Sequence, residues 1–211
     1  MVRILGKAFS VGLILCLAGC ASLPIDSVCR IRMANGVGGS GTLVGVAGDA
    51  ALVLTCRHVT EREGYACELF WRNGEKTNGW VASVPAPVQG NEFSNDLALV
   101  ICERPKGVKP VPVVKFNPDD GPFYSIGYRR GELLMAVSRT AKEPGDGLIR
   151  MSAPILPGLS GGLTCNRFGQ QVGVCVGGEF DQDIEGNIIW IGDQSVSADG
   201  EHLTKLLEGY R

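Results

Sequence analysis

The sequence has almost no net charge and no run of basic residues: 20 Lys and Arg stand against 22 Asp and Glu, for a net charge of −2. That balance removes the electrostatic case for a nucleic-acid partner or for binding an anionic membrane surface through charge. Histidine is scarce, with two in 211 residues, so any metal site would lean on cysteine. Cys56, His58 and Cys67 offer only Cys-x-His and a distant lone cysteine, which fits no common structural zinc spacing. No metal and no cofactor is therefore expected. Internal repeats and low-complexity segments are also missing. The longest apolar stretch, Ala8 to Ala18, is too short to span a bilayer comfortably.

What is present begins with that stretch. Arg3 and Lys7 give it a basic start, and it ends in Leu17-Ala18-Gly19-Cys20. These four residues resemble the lipobox of bacterial lipoproteins. The resemblance implies that residues 1–19 are removed, that Cys20 carries lipid on its sulfur, and that residues 20–27 form a tether. Ala21, in place of an aspartate, implies the outer membrane, with the domain facing the periplasm. A plain signal peptide with an incidental Cys20 is the alternative. Of eight cysteines, Cys16 leaves with the leader, and six remain beyond Cys20. An even number in an oxidising compartment suggests up to three disulfides, although six cysteines allow 15 connectivities. Cys165 with Cys175 would bridge a hairpin about Gly169, Cys56 with Cys67 would staple the loop bearing His58, and Cys29 and Cys102 are left over.

Thirty glycines with modest charge suit many short strands joined by tight turns. Apolar segments over residues 28–33, 41–46, 50–55, 67–71, 79–84 and 97–102 read as strands, with Asn35-Gly36 and Gly48-Asp49 among the turns. Glu103 to Pro112 gathers three prolines and has the composition of a linker. A second series follows at 124–128, 133–140, 147–152, 162–165, 171–176 and 188–191. Leu203, Leu206, Leu207 and Tyr210 have helical spacing, with Asp199 as a plausible N-cap. His202 falls on the polar side of that helix. The pattern alone implies an all-β barrel or sandwich in two halves, 28–103 and 113–196, joined by a linker over 104–112 and followed by a short helix over 197–211.

Three segments carry chemistry. Leu54-Thr55-Cys56-Arg57-His58-Val59 ends a strand in a histidine. Asn95-Asp96-Leu97-Ala98-Leu99-Val100 opens an apolar strand with an aspartate. Pro157-Gly158-Leu159-Ser160-Gly161-Gly162 sets a serine among glycines. Hydrolysis by serine needs a base within reach of a weak nucleophile, a carboxylate that fixes the base's tautomer, and backbone N–H groups aimed at the developing oxyanion. The order His, Asp, Ser differs from the order in α/β-hydrolases and in subtilisins.

With Gly39-Ser40-Gly41-Thr42-Leu43 before the histidine and Gly169 to Val174 after the serine, the chain resembles the bacterial trypsin-like, chymotrypsin-fold serine peptidases over Val28 to Gly192. The resemblance implies two six-stranded antiparallel β-barrels. It makes His58 the general base, Asp96 its orienter and Ser160 the nucleophile, with the amides of Gly158 and Ser160 as oxyanion hole. It implies a polypeptide substrate that pairs in extended form beside Val176, Gly177 and Gly178. Met151 to Leu159 contains no acidic residue, which disfavours cleavage after Lys or Arg. A small or medium apolar residue before the scissile bond is expected, with Glu179 the nearby residue able to overturn that. Leu159 replaces the acidic or amide residue common before the serine, and Arg57 replaces a small residue. Arg57 would matter little if it pointed into solvent. Trp71, Trp80 and Trp190 read as core or interface packing. An esterase with the same triad, or a silent binding lipoprotein on this fold, are the other functions open to the sequence. The oligomeric state is left open.

Overall fold

The computed structural model describes residues 22–60, 62–85, 95–153, 155–182, 188–197 and 207–208, and for 179–182 and 188–197 the backbone alone. Lys and Arg aside, the strand pattern follows the expected alternation. Cys67, Leu69 and Trp71 are buried on β4 (Ala66–Trp71), and Thr77, Gly79 and Val81 on β5 (Lys76–Ser83), with the residues between them turned outward. Such two-residue periodicity places one face on a core. β1 (Val28–Met33), β2 (Gly38–Ala47), β3 (Ala50–Thr55) and β6 (Ala98–Glu103) complete a closed six-stranded barrel in the order β1-β2-β3-β6-β5-β4. Closure leaves no unpaired edge.

Residues 104–112 form no strand. Their amides tie back to the barrel, Arg104 N–H to the Asp49 carbonyl and Val111 N–H to that of Leu43, both at 2.8 Å. The second half is a seven-stranded antiparallel sheet of order β8-β7-β11-β12-β13-β10-β9. Its strands are β7 (Phe123–Arg129), β8 (Glu132–Ser138), β9 (Ala141–Lys142), β10 (Leu148–Met151), β11 (Leu163–Cys165), β12 (Gln171–Gln182) and β13 (Ile188–Ser197). The overall arrangement is the all-β, trypsin-like fold expected. The second lobe carries one strand beyond the expected six, because two residues of β9 pair with Met151 and Arg150, too short a stretch to leave a periodic pattern. β12 and β13 also run past the expected ends and pair with each other to Gln182 and Ile188. The helix expected over 197–211 lies outside the described residues, apart from helical Leu207 and Glu208; Leu207 is buried against the first-barrel core.

Trp71 is a core residue, its indole N–H donating to Thr77 Oγ1 at 2.9 Å. Trp80 is not a core residue: it occupies the outward register of β5 and is 50% exposed. The side chain of Trp190 lies outside the described ones, as do those of Glu179 and His202.

The disulfide expectation is also corrected. Cys29, Cys56, Cys67, Cys102, Cys165 and Cys175 are all buried free thiols. Cys165 packs with Val28, Val111 and Ile126, whereas Cys175 belongs to the cluster of Phe123, Ile149 and Met151, so the two thiols sit in different cores. Cys67 lies inside the barrel, while Cys56 points its thiol at the Cys175 carbonyl, 3.0 Å away. Cys29 and Cys102 share the barrel interior but come from β1 and β6, which are not neighbours. Burial first, and then the neighbouring Cys102, pushes the Cys67 thiol up to about 12; burial raises Cys102 to about 11.

Candidate active site

The site starts at one end of the β3–β6 pair. Thr55 is paired with Ala98, so the chain leaving β3 and the chain entering β6 meet at one barrel edge. After Cys56 the backbone makes a single helical turn, α1 (Arg57–Thr60), closed by Thr60 Oγ1 donating to the carbonyls of Cys56 and Arg57. This turn presents His58 with nearly half its side chain exposed. Opposite it, Asn95 takes a positive φ of 69°, and Asp96 follows it into the interior.

The Asp96 carboxylate holds His58 twice. One oxygen accepts the His58 backbone N–H at 3.0 Å, and the other lies 2.5 Å from Nδ1. A buried carboxylate so bonded fixes both the ring's position and its tautomer, with Nδ1 as donor and Nε2 left as the acceptor. Arg57 does not point into solvent: its Nε lies 3.9 Å from the Asp96 oxygen that serves the His58 amide. Cys56 is buried beneath this pair, and burial, then the Asp96 charge, push its thiol well above the usual range. Ligand atoms of Cys56, His58 and Asp96 lie within 4.8 Å of one another. The thiol remains a hydrogen-bond donor and the other two bond each other, so the cluster serves as an orienting network rather than a prepared metal shell.

The serine comes from the second lobe, on the turn before β11. Its hydroxyl donates to the Val176 carbonyl at 3.3 Å, and its own carbonyl accepts from Ser40 N–H at 2.8 Å. β2 is the meeting point. A Cβ on Gly39 would sit 2.6 Å from Val59, next to His58, and 2.8 Å from the Ser160 carbonyl. That glycine permits the histidine segment and the serine segment to close on one another. Ser40, fully buried, bonds on every side. Its hydroxyl donates to the Gly158 carbonyl (2.9 Å) and accepts the Tyr128 N–H (2.7 Å), and its carbonyl accepts from Thr55 Oγ1 (2.7 Å).

With its carbonyl held in this way and φ at +101°, the Gly158 peptide plane is fixed. Among the described residues, neither the Gly158 N–H nor the Ser160 N–H is taken by a protein acceptor. The next turn is anchored by Gly161 N–H to the Cys175 carbonyl (2.7 Å) and Gly162 N–H to that of Leu159 (2.8 Å). Leu159 itself is buried in the second lobe's core. Beyond the serine, Val176 is buried, while Gly177 and Gly178 are half-buried and pair with Gln194 and Asp193 across a bulge. Sequence reasoning named His58, Asp96, Ser160, Gly158, Val176, Gly177 and Gly178, and His58–Asp96, Gly158–Ser160 and Val176 come together where the two lobes join. It missed Ser40 as the joint of the two lobes. Its signal was the Gly39-Ser40-Gly41 run, a polar residue between two glycines on an apolar strand, which the sequence alone marks only as a family motif.

A search of curated protein sequences gives no match. Solved structures of similar fold include the inactive form of the Rv3671c protease (20% identity, TM-score 0.61, covering 88% of this chain and 89% of that one). The serine protease of a human pathogenic astrovirus matches at 17% identity and TM-score 0.61, over 85% and 94% of the two chains. The HtrA-type protease AlgW with a tripeptide matches at 17% identity and TM-score 0.60, over 88% of this chain and 60% of that one. The model of the trypsin-like peptidase domain matches residues 39–174, which contain every described residue of the cleft up to β12. The chain belongs to the trypsin-like peptidase family.

Proposed function

We propose that this chain is a serine endopeptidase held in the bacterial envelope by lipid on Cys20. The observation that carries the catalytic reading is the double grip of buried Asp96 on His58. It leaves Nε2 of the ring as the base beside the Ser160 turn. In this reading His58 takes the Ser160 proton as Oγ attacks the scissile carbonyl. The oxyanion develops against the Gly158 and Ser160 N–H groups. His58 then returns the proton to the leaving amine, and water drawn through the same base hydrolyses the acyl-enzyme. In the resting site Oγ is parked on the Val176 carbonyl. A substrate strand pairing beside Val176 to Gly178 would compete for that carbonyl and release the hydroxyl toward His58.

The absence of an acidic residue between Met151 and Leu159 favours an apolar residue before the scissile bond over Lys or Arg. Digestion of a peptide library by the purified protein, beside a Ser160→Ala control, checks this reading. Serine-dependent cleavage after small or medium apolar residues is expected. Cleavage dominated by Lys and Arg sinks the pocket assignment, and no serine-dependent cleavage sinks the peptidase. The anchor has its own check. A Cys20→Ser chain should move from the membrane fraction to the soluble fraction, and the mature N-terminal peptide should carry the mass of a lipid.

A further inference from the structure

The chain enters its fold on one face of the second lobe, and the outer edge of that face is left exposed. Strand register puts Leu133, Met135 and Val137 of β8 on the same side as Tyr128, Ile126 and Tyr124 of β7, and Ile126 and Tyr124 are followed by Leu163 and Cys165 of β11. Leu23 and Ile25, just before β1, pack onto this apolar face and cover its centre. At its outer edge Met135 and Val137 remain 51% and 47% exposed on the terminal strand of the sheet. The β11–β12 turn adds Phe168, also 51% exposed, with the Arg167 guanidinium 4.7 Å from its ring. A Cβ on Gly169, the next residue, would meet Pro24 at 3.1 Å and the Ser22 carbonyl at 3.8 Å. The exposed phenylalanine therefore sits where the tether leaves the domain, two residues after Cys20 in sequence.

A soluble surface seldom gathers exposed apolar side chains at an open sheet edge without something to cover them. Here the occupant is indicated by chain length. A lipid on Cys20 cannot stand farther from Ser22 than two extended residues allow, about 7 Å. We infer that Phe168, Met135 and Val137 form a membrane-docking face that settles into the bilayer interface holding the Cys20 lipid. An apolar contact beside the lipid adds buried area at the bilayer interface and fixes the orientation of the domain on it. The orientation leaves the cleft free. The catalytic turn packs on the other side of β7, where a Cβ on Gly127 would lie 2.9 Å from Leu159 Cα. The sheet thus separates Ser160 from the bilayer.

The inference rests on the lipid-anchor reading and is tested on the full lipidated chain. The chain is reconstituted in vesicles of phosphatidylethanolamine and phosphatidylglycerol with brominated phosphatidylcholine. Phe168→Trp and Met135→Trp are each compared with Tyr65→Trp, whose site on the first lobe is 43% exposed. Emission added at 168 and 135 should be quenched at least about threefold more than that added at 65. Equal quenching at all three positions, on vesicles that retain the chain, overturns the docked face. Cross-linking that then traps dimers through β8 would assign the face to a second copy. An N-terminal peptide without lipid mass identifies failure of the anchor reading instead, and the docked face falls with it.

Discussion

The two lobes contribute to the cleft in different ways. The first holds its pair internally: His58 and Asp96 stand at adjoining ends of β3 and β6, and their mutual bonds stay within one closed barrel. The second contributes a serine whose turn is anchored in its own lobe at Cys175 and Leu159 and is also gripped from outside, by Ser40 of the first lobe, at the Gly158 and Ser160 carbonyls. His58 is therefore positioned by one barrel, and Ser160 by its own lobe together with a seam. Damage to the seam should misplace the serine and its oxyanion donors while leaving the histidine–aspartate pair intact.

The strongest break in this comparison comes from removing either chemical partner. Ser160→Ala and His58→Ala should each lower peptidase kcat/KM by ~10⁴-fold or more while far-ultraviolet circular dichroism and melting temperature stay near wild type. Next comes the seam itself. A Cβ on Gly161 would lie 2.2 Å from both the Ser40 carbonyl and Thr55 Oγ1, at a φ of +83°. Gly161→Ala should cost roughly 3 kcal/mol or more in denaturant unfolding and abolish turnover through that displacement. Ser40→Ala is milder and more diagnostic. It removes the hydroxyl's two buried hydrogen bonds, for about 1–3 kcal/mol of stability. We expect kcat to fall on the order of tenfold to a hundredfold with KM nearly unchanged, as for loss of one oxyanion donor. A KM effect without a kcat effect would place Ser40 in substrate binding instead.

The smallest effect concerns the buried thiols. With Cys67 held near 12 and Cys102 near 11 against an ordinary 9.0, the folded state prefers the neutral form. Their stabilising contribution is complete below pH 9 and declines as pH rises from there toward the folded values, because only the unfolded chain ionises its thiols. The melting temperature should fall modestly between pH 8 and pH 10.5. Alkylation with iodoacetamide at pH 8 should be slow when folded, and six thiols beyond Cys20 should react in denaturant without a reductant. Thiols that appear only after reduction would restore the disulfide expectation.

Legibility in the sequence followed the same division. β1 and β3 could be read to the residue, since Val28–Met33 alternates apolar residues with Arg30 and Arg32, and Ala50–Thr55 is almost wholly apolar, each between turn residues. His58, Asp96 and Ser160 stood out because each is a chemically distinctive side chain in a short, characteristic setting. Less was visible where function depends on what meets across the lobes. Ser40 looks like any strand serine until the second lobe surrounds it. Arg57 could not be oriented without the Asp96 oxygen that it faces. The cysteines paired well on paper through sequence proximity, but strand register puts Cys165 and Cys175 in different cores. β9 is too short to show a period of two.

The central claim is that Ser160 is a nucleophile armed by the His58–Asp96 pair. Treating the full chain with a fluorophosphonate and mapping the adduct by peptide mass spectrometry tests it most directly. The account predicts one adduct, on Ser160, lost in Ser160→Ala and slowed at least a thousandfold, on the order expected for loss of the base, in His58→Ala. An unmodified wild type, an adduct on another serine, or labelling indifferent to His58 would contradict it.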